Sequence, residues 1–284
     1  MQTGIYFHPL FGQKEWPIIG NKYKDFPQLL EDLLRLPQVR LFEPQEAPSQ
    51  LLSKVHTLQF LADVQEEWYY QGAALSAGGS VEACEKVFEG ELQNAFVFSV
   101  AAGHHAGPSY AWGGTYLSCS GPAVYNLREK HGRKKVAIID TDAHHGDGTR
   151  AIFGGDPLTL HTCFCYETLT EEDGLKTCVN TSGQLSDEDY LEKIRSHFSP
   201  LVEKFEPELI IHLMGHDSCK GDYEDRGLNP SFFSRAVEEL KALAEKFCDG
   251  KLVIISIGGA KTEVTNTIIP QVINTLVQRN EKET

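Results

Sequence analysis

The stretch VAIIDTDAHHGDG, residues 136–148, decides the reading of this 284-residue chain. Its first half, Val136 to Ile139, is the β-branched, apolar kind of run that forms a buried strand. It leads directly into Asp140, Asp142, His144, His145 and Asp147. Side chains of an extended strand alternate faces, so a strand running on to Asp142 predicts that Asp140, Asp142 and His144 share one side and converge. Carboxylates and imidazoles crowded into one small volume lose hydration and repel one another unless a cation neutralises them. The run therefore predicts a metal-hydrolase site rather than an ordinary polar loop.

Similar apolar runs recur on either side, at Phe96 to Val100, Leu158 to Cys163, Leu209 to Met214 and Lys251 to Ile257. Between and around them lie stretches of helical periodicity: Pro27 to Leu36, Val81 to Glu89, Ser186 to Phe205, Pro230 to Phe247 and Glu263 to Val277. Ser186 with Asp189 predicts a capped start for the third of these, and Pro200 predicts a kink or split inside it. Strands alternating with helices imply βαβ units and right-handed crossovers. The expected fold class is α/β, a three-layer sandwich with a mostly parallel sheet flanked by helices. No repeat, low-complexity tract or linker interrupts the chain, so residues 1–284 are expected to form a single domain.

Composition excludes several function classes. The chain carries 26 basic and 40 acidic residues, a net charge of −14, which argues against a nucleic-acid backbone footprint. Neither the stretch from Met1 to Ile18 nor any other segment approaches the roughly 18 consecutive apolar residues of a membrane span, so a cytoplasmic location is expected. The seven cysteines are an odd number without CxxC knuckles, which fits reduced thiols. Cys163 and Cys165 share a strand face but make no tetrahedral zinc site alone, and are read as core residues.

In open α/β sheets ligands bind where the strands end at their carboxyl side. The segments that follow the expected strands agree in chemistry: AAGHHAG with His104 and His105, DTDAHHGDG, GHDSCKGDYEDRG with Asp217, and GGAKTE. Asp142, His144 and Asp217 form the best three-ligand set, leaving one position open for water as in catalytic zinc sites. Two carboxylates soften the Lewis acidity of such an ion, so helpers are needed. His104 and His105 suit proton transfer, with Asp140 and Asp147 as their orienting carboxylates. Mixed Asp and His donors suit zinc, iron(II) and cobalt alike.

With those residues in view, the chain resembles the zinc-dependent histone deacetylase family, including its bacterial and archaeal deacetylase-like and acetylpolyamine amidohydrolase members, which share the arginase-like α/β fold. The resemblance runs from about Glu46 (EAPSQLLSKVHTLQFLADV) through AGGSVEACEKVFEG, AAGHHAG, DTDAHHGDGT, LTLH, GHDSCKGD, GLNPSFF and ISIGGA. It implies metal ligands at Asp142, His144 and Asp217, a general base and its neighbour at His105 and His104, and partner carboxylates at Asp147 and Asp140. It also implies a potassium-type site on main-chain oxygens of Asp140, Asp142, His144 and Leu160 with the Thr159 hydroxyl. The implied reaction is hydrolysis of an acyl-lysine peptide or small N-acyl amine by metal-activated water.

Three departures bear on that expectation. The family places a tyrosine after the glycine pair near the last strand, where its hydroxyl binds the substrate carbonyl; here Ala260 follows Gly258 and Gly259. Substitute donors would have to come from Lys261, Tyr223, Tyr110, Tyr116 or Tyr166. A phenylalanine wall of the substrate tunnel is replaced by Gly114, which predicts a wider slot unless Trp112 or Phe164 refills it. The proline turn expected after LTLH is replaced by TCFCYETLTEEDG, which removes an opposite wall. The leading expectation is an amidohydrolase with an atypical substrate. The alternatives are a weakly active or inactive metal-dependent acyl-amine binding protein, and a two-metal ureohydrolase. The oligomeric state is not legible.

Overall fold

Nine strands form one sheet in the computed structural model, which describes residues 2–101 and 103–278. They are β1 (Thr3–Tyr6), β2 (Val39–Phe42), β3 (Asn94–Phe98), β4 (Val136–Asp140), β5 (Thr159–Cys165), β6 (Leu169–Glu171), β7 (Lys176–Asn180), β8 (Leu209–Met214) and β9 (Leu252–Ser256). Their order is β2-β1-β3-β9-β8-β4-β5-β7-β6, parallel throughout except for the β6–β7 pair. The five strands expected from sequence are β3, β4, β5, β8 and β9, each buried along its whole length. The other four carry weaker signals. β1 and β2 are four residues each, β2 is largely exposed, and β6 is three exposed residues.

The period-2 alternation of the central strands sorts their side chains into two cores. Phe96, Phe98, Ala137, Ile139, Ile210, Leu252 and Ile254 face the layer of helices Pro230–Phe247 and Thr262–Val277. Ala95, Val97, Val136, Ile138, Ile211, Val253 and Ile255 face helices Tyr70–Phe88 and Ser120–His131. A parallel sheet covered on both faces results, the three-layer α/β architecture that the strand–helix alternation predicts.

The helices follow the expected periodicity where the burial is one-sided. Helix Pro230–Phe247 has the predicted bounds. Val81 to Glu89 is the end of a longer helix, because its first half, GAALSAGG, is small residues buried nearly all round and so carries no amphipathic rhythm. Pro27 to Leu36 breaks into a 3₁₀ turn, Gln28–Leu30, and one helical turn, Glu31–Leu34. Ser186 caps Asp187–Lys193 by accepting from Asp189 N, and Pro200 splits the rest of the stretch into a wide turn at Ile194–Phe198 and helix Ser199–Phe205. Proline lacks the N–H for the i−4 carbonyl and its ring crowds that turn, which the wide turn relieves.

Four of the strands, β3, β9, β8 and β4, are consecutive neighbours. They are also the four whose following segments carry the chemistry predicted from sequence, so hydrogen bonding between strands brings four distant segments to one rim.

Candidate metal centre and its two flanks

β4 ends at Asp140, so Asp142 and His144 lie on the loop after it rather than on an extended strand. Their convergence has a different cause from strand alternation. The loop wraps its own N–H groups onto carboxylates: Asp142 N donates to Asp140 Oδ1 at 3.2 Å, His144 N to Asp142 Oδ1 at 3.0 Å and Ala143 N to Asp217 Oδ1 at 3.2 Å. From the segment after β8 comes Asp217, fully buried. Nδ1 of His144 lies 2.8 Å from Asp142 Oδ1 and 3.2 Å from Asp217 Oδ2. Ligand atoms of all three lie within 4.8 Å of one another.

The electrostatics of this set ask for a cation. Burial and the neighbouring Asp142 charge push Asp217 up to about 7. Bonds to Asp142 and then Asp217 push His144 up to about 11. Two buried carboxylates facing one another are thus bridged by an imidazolium, and a divalent ion bound to two oxygens and one imidazole nitrogen satisfies the same set with less repulsion. These residues fit a catalytic metal.

On one flank, His104 and His105 follow β3. Their rings lie 4.0 Å apart, and they are 2% and 3% exposed. His104 Nδ1 meets Asp140 Oδ2 at 2.9 Å, and His105 Nδ1 meets Asp147 Oδ1 at 2.6 Å. Burial pulls His104 down, but Asp140 and Asp142 outweigh it and raise it to about 9. Burial and the His104 charge lower His105 to about 4, against the pull of Asp147. The two shifts run in opposite directions, His104 up beside its carboxylates and His105 down by burial and its cationic neighbour. Trp112 fixes the second dyad: its ring lies 3.7 Å from the His105 ring, and its Nε1 donates to Asp147 Oδ2 at 3.0 Å.

On the other flank stands Tyr223. A Cβ placed on Gly258 would fall 2.0 Å from Asp142 Oδ2 and 3.3 Å from the Tyr223 hydroxyl, so glycine is required there and the hydroxyl lies beside the metal ligand. Gly259 N donates to that hydroxyl at 3.3 Å. Burial, then the Asp142 and Asp217 charges, push the phenol far above its ordinary value and keep its proton available for donation. Asp222 sets the position by accepting from Ala260 N at 3.0 Å and Lys261 N at 3.2 Å while its own Oδ1 takes the N–H of Tyr223 at 2.9 Å. Of the substitute donors expected from sequence, Tyr223 alone lines the cavity over the metal set; Tyr110 sits behind Asp147, and Tyr116 stacks on Tyr69 at 3.6 Å.

That cavity has a volume of about 240 Å³. Trp112 forms one wall, as expected, whereas Phe164 does not: it is buried against Tyr190, 5.5 Å between ring centres, in the core. Ile18 takes the space beside Gly114, where a Cβ would meet Ile18 Cγ1 at 2.7 Å. Among the described residues, the TCFCYETLTEEDG segment supplies none of the lining and instead runs through β5 into the β6–β7 edge hairpin.

Thr159 and Leu160 are a correction. The register sets Thr159 opposite Val136 and Leu160 opposite Ala137, whereas Asp140 lies opposite Cys163. They sit at the amino end of β5, Thr159 four and Leu160 three residues below the level of Asp140, roughly 13 and 10 Å at the usual strand rise. The Thr159 hydroxyl is occupied, donating to Asp156 Oδ2 at 2.6 Å and accepting from Arg128 Nη2 at 2.9 Å. The hydroxyl at the rim level is that of Thr162, buried and without a partner.

Three supporting residues carried no signal of their own in the sequence. Lys22, fully buried, donates to the carbonyl of Gly258 at 2.9 Å and to that of Ile257; burial lowers it to about 7. Arg226 donates to the Ala143 carbonyl between two ligands and to Thr181 Oγ1 at 2.8 Å. His56 meets the Gly107 carbonyl with Nδ1 at 2.8 Å and accepts from Ser118 N at 3.1 Å, bracing the segment that bears His104 and His105.

Comparison with known proteins agrees with this architecture. Residues 21–276 match the family model of the histone deacetylase domain, beginning ahead of Glu46. A probable deacetylase of Archaeoglobus fulgidus is 29% identical over 93% of this chain and 82% of its own length. A histone deacetylase-like amidohydrolase of Pseudomonas aeruginosa is 31% identical over 67% of this chain, which spans about half of that protein (54%). Among solved structures, the HDA15 HD domain superposes with a TM-score of 0.86 over 97% of this chain and 89% of its own, at 23% identity. With nine-tenths of its length inside the family model, this chain belongs to the histone deacetylase family.

Proposed function

We propose that the protein is a metal-dependent amidohydrolase that removes an acyl group from an acyl-lysine peptide or a small N-acyl amine. The observation that carries this reading is the convergence of Asp142, His144 and Asp217 with both His–Asp dyads on one side and a protonated tyrosine hydroxyl on the other. A divalent metal held by the three ligands supplies Lewis acidity and lowers the pKa of a bound water. His105, neutral and oriented by Asp147, accepts a proton at Nε2. His104, cationic beside Asp140, stabilises negative charge and supplies a proton to the departing amine. Tyr223 donates a hydrogen bond to the substrate carbonyl oxygen as charge grows there, the task for which Ala260 has no group. Trp112 and Ile18 flank the acyl-bearing chain and exclude water. Zinc, iron(II) and cobalt all suit the donors. The acidic balance of the chain suits a cationic amine product and not nucleic acid. Among the described residues no helix is long and apolar enough to cross a membrane.

With a hydroxyl on the Ala260 flank, the reading of the chain as a binding protein without turnover loses its main ground. The test is a panel of acyl-lysine peptides and acylated polyamines offered to full-length protein loaded with zinc or iron(II). Turnover that disappears in Asp142→Ala is the expected result. Binding without turnover at full metal occupancy would overturn the proposal.

A further inference from the structure

His145 follows the metal ligand His144 but turns away from it. Its ring enters the face of the sheet where Cys163 and Cys165, two apart on β5, meet Cys178 on β7. Cys163 and Cys178 are register partners on neighbouring parallel strands, and all three thiols are buried. Cys165 Sγ lies 3.7 Å and Cys178 Sγ 3.4 Å from His145 Nδ1. The ligand atoms of His145, Cys163 and Cys165 lie within 4.8 Å of one another, as do those of His145, Glu167 and Cys178, so His145 is common to both groups. Zinc bonds of about 2.3 Å to sulfur and about 2.05 Å to nitrogen, at the tetrahedral angle, set sulfur and nitrogen about 3.5 Å apart. The two measured separations bracket that value.

The sulfurs sit in a hydrogen-bonding rather than a purely apolar setting, and Cys163 Sγ also reaches the His144 carbonyl at 3.6 Å. Each sulfur faces an N–H donor: Gly146 N to Cys163 Sγ at 3.3 Å, Glu167 N to Cys165 Sγ at 3.5 Å and Arg150 Nη2 to Cys178 Sγ at 3.2 Å. A cysteine that merely fills an apolar gap has no need of such donors. Three thiolates around a divalent ion leave one negative charge; the Arg150 guanidinium stands beside Cys178 and is shared with Glu171 at 3.0 Å. Glu167 Oε2 lies 3.9 Å from His145 Nδ1.

We propose that Cys163, Cys165, Cys178 and His145 form a second, structural metal site of the closed Cys₃His type, taking zinc. Four protein ligands leave no open position, so the ion performs no hydrolysis. It ties β5 and β7 to the loop between β4 and helix Asp147–Phe153, the loop that carries His144 and leads into Asp147. Its effect on catalysis is therefore positional.

The experiment uses the full-length protein purified under reducing conditions, with metal counted per chain and the metals then exchanged for cobalt(II). The expected result is two equivalents and an absorption band from sulfur-to-cobalt charge transfer. Only this cluster can produce that band, because the catalytic set has nitrogen and oxygen donors alone. The assignment is thus independent of whether the protein hydrolyses any amide. Asp217→Asn should keep the band and one equivalent, while Cys163→Ser with Cys178→Ser should lose the band and keep the catalytic equivalent. The wild-type spectrum decides the matter even where the double variant fails to fold. A wild-type protein with free thiols, one metal and no sulfur band overturns the proposal, as does a disulfide between Cys163 and Cys178 found in the freshly isolated protein.

Discussion

The two flanks of the Asp142–His144–Asp217 set are built to different tolerances. On the histidine flank each ring is clamped by its own carboxylate at 2.6 to 2.9 Å, both rings are 2% to 3% exposed, and Trp112 packs over the outer one. On the tyrosine flank the Tyr223 residue as a whole is 42% exposed although its hydroxyl end is buried, and that hydroxyl is held by one N–H at 3.3 Å. The first flank is preorganised before substrate arrives. The second sits on an ordered turn with a looser hold on its hydroxyl; under the proposed function it would finish its geometry against a substrate carbonyl and lose less when altered.

That contrast can be broken experimentally, beginning with the largest effect. His105→Ala should lower kcat/KM by up to about 10⁴-fold, the upper range for a positioned acid or base, with metal content unchanged. Tyr223→Phe should cost about a hundredfold to a thousandfold in kcat with little change in KM, as for loss of one oxyanion donor. Adding Ala260→Tyr to that variant should return part of the loss. An unchanged kcat in Tyr223→Phe would show that the carbonyl is polarised by the metal alone and that the two flanks do not share the reaction.

The smallest effect concerns stability. Burial holds His56 down to about 4 and His212 to about 3, below the 6.5 of an unfolded histidine. Between those values the unfolded chain binds more protons than the folded one, so their contribution is complete above pH 6.5 and is lost as pH falls below it. Melting temperature should decline from pH 7 to pH 5, with a shallower decline in His56→Gln. Equal slopes in the two proteins would mean that His56 does not report on the histidine flank it braces.

Legibility in the sequence divides along the same line. Asp140, Asp142, His144 and Asp147 lie within eight residues, and His104 and His105 are adjacent, so the histidine flank announces itself in short motifs. Tyr223 stood among several candidates because nothing local to GDYEDRG says that it faces Gly258 across the gap between β8 and β9. Thr159 was misplaced for a related reason: LTLH fixes neighbours along the chain but not their height against β4, which only the register reveals. Lys22 and His56 were silent because a lone lysine or histidine outside any motif gives no hint of the carbonyl it will meet. Cys178 completes its cluster through pairing of β5 with β7, a strand whose KTCVN sequence is too polar to stand out.

The adjacency of β3, β9, β8 and β4 carries a lesson about how such a centre changes over time. Each neighbour contributes a separate cassette to the same rim, so a chemical group belongs to a place above the sheet and not to a place in the chain. Under the proposed function, the hydroxyl that Ala260 lacks after β9 is supplied by Tyr223 after β8, one strand spacing away, with the proposed metal ligands left in place. A catalogue that compares only aligned columns would score such a transfer as a deletion.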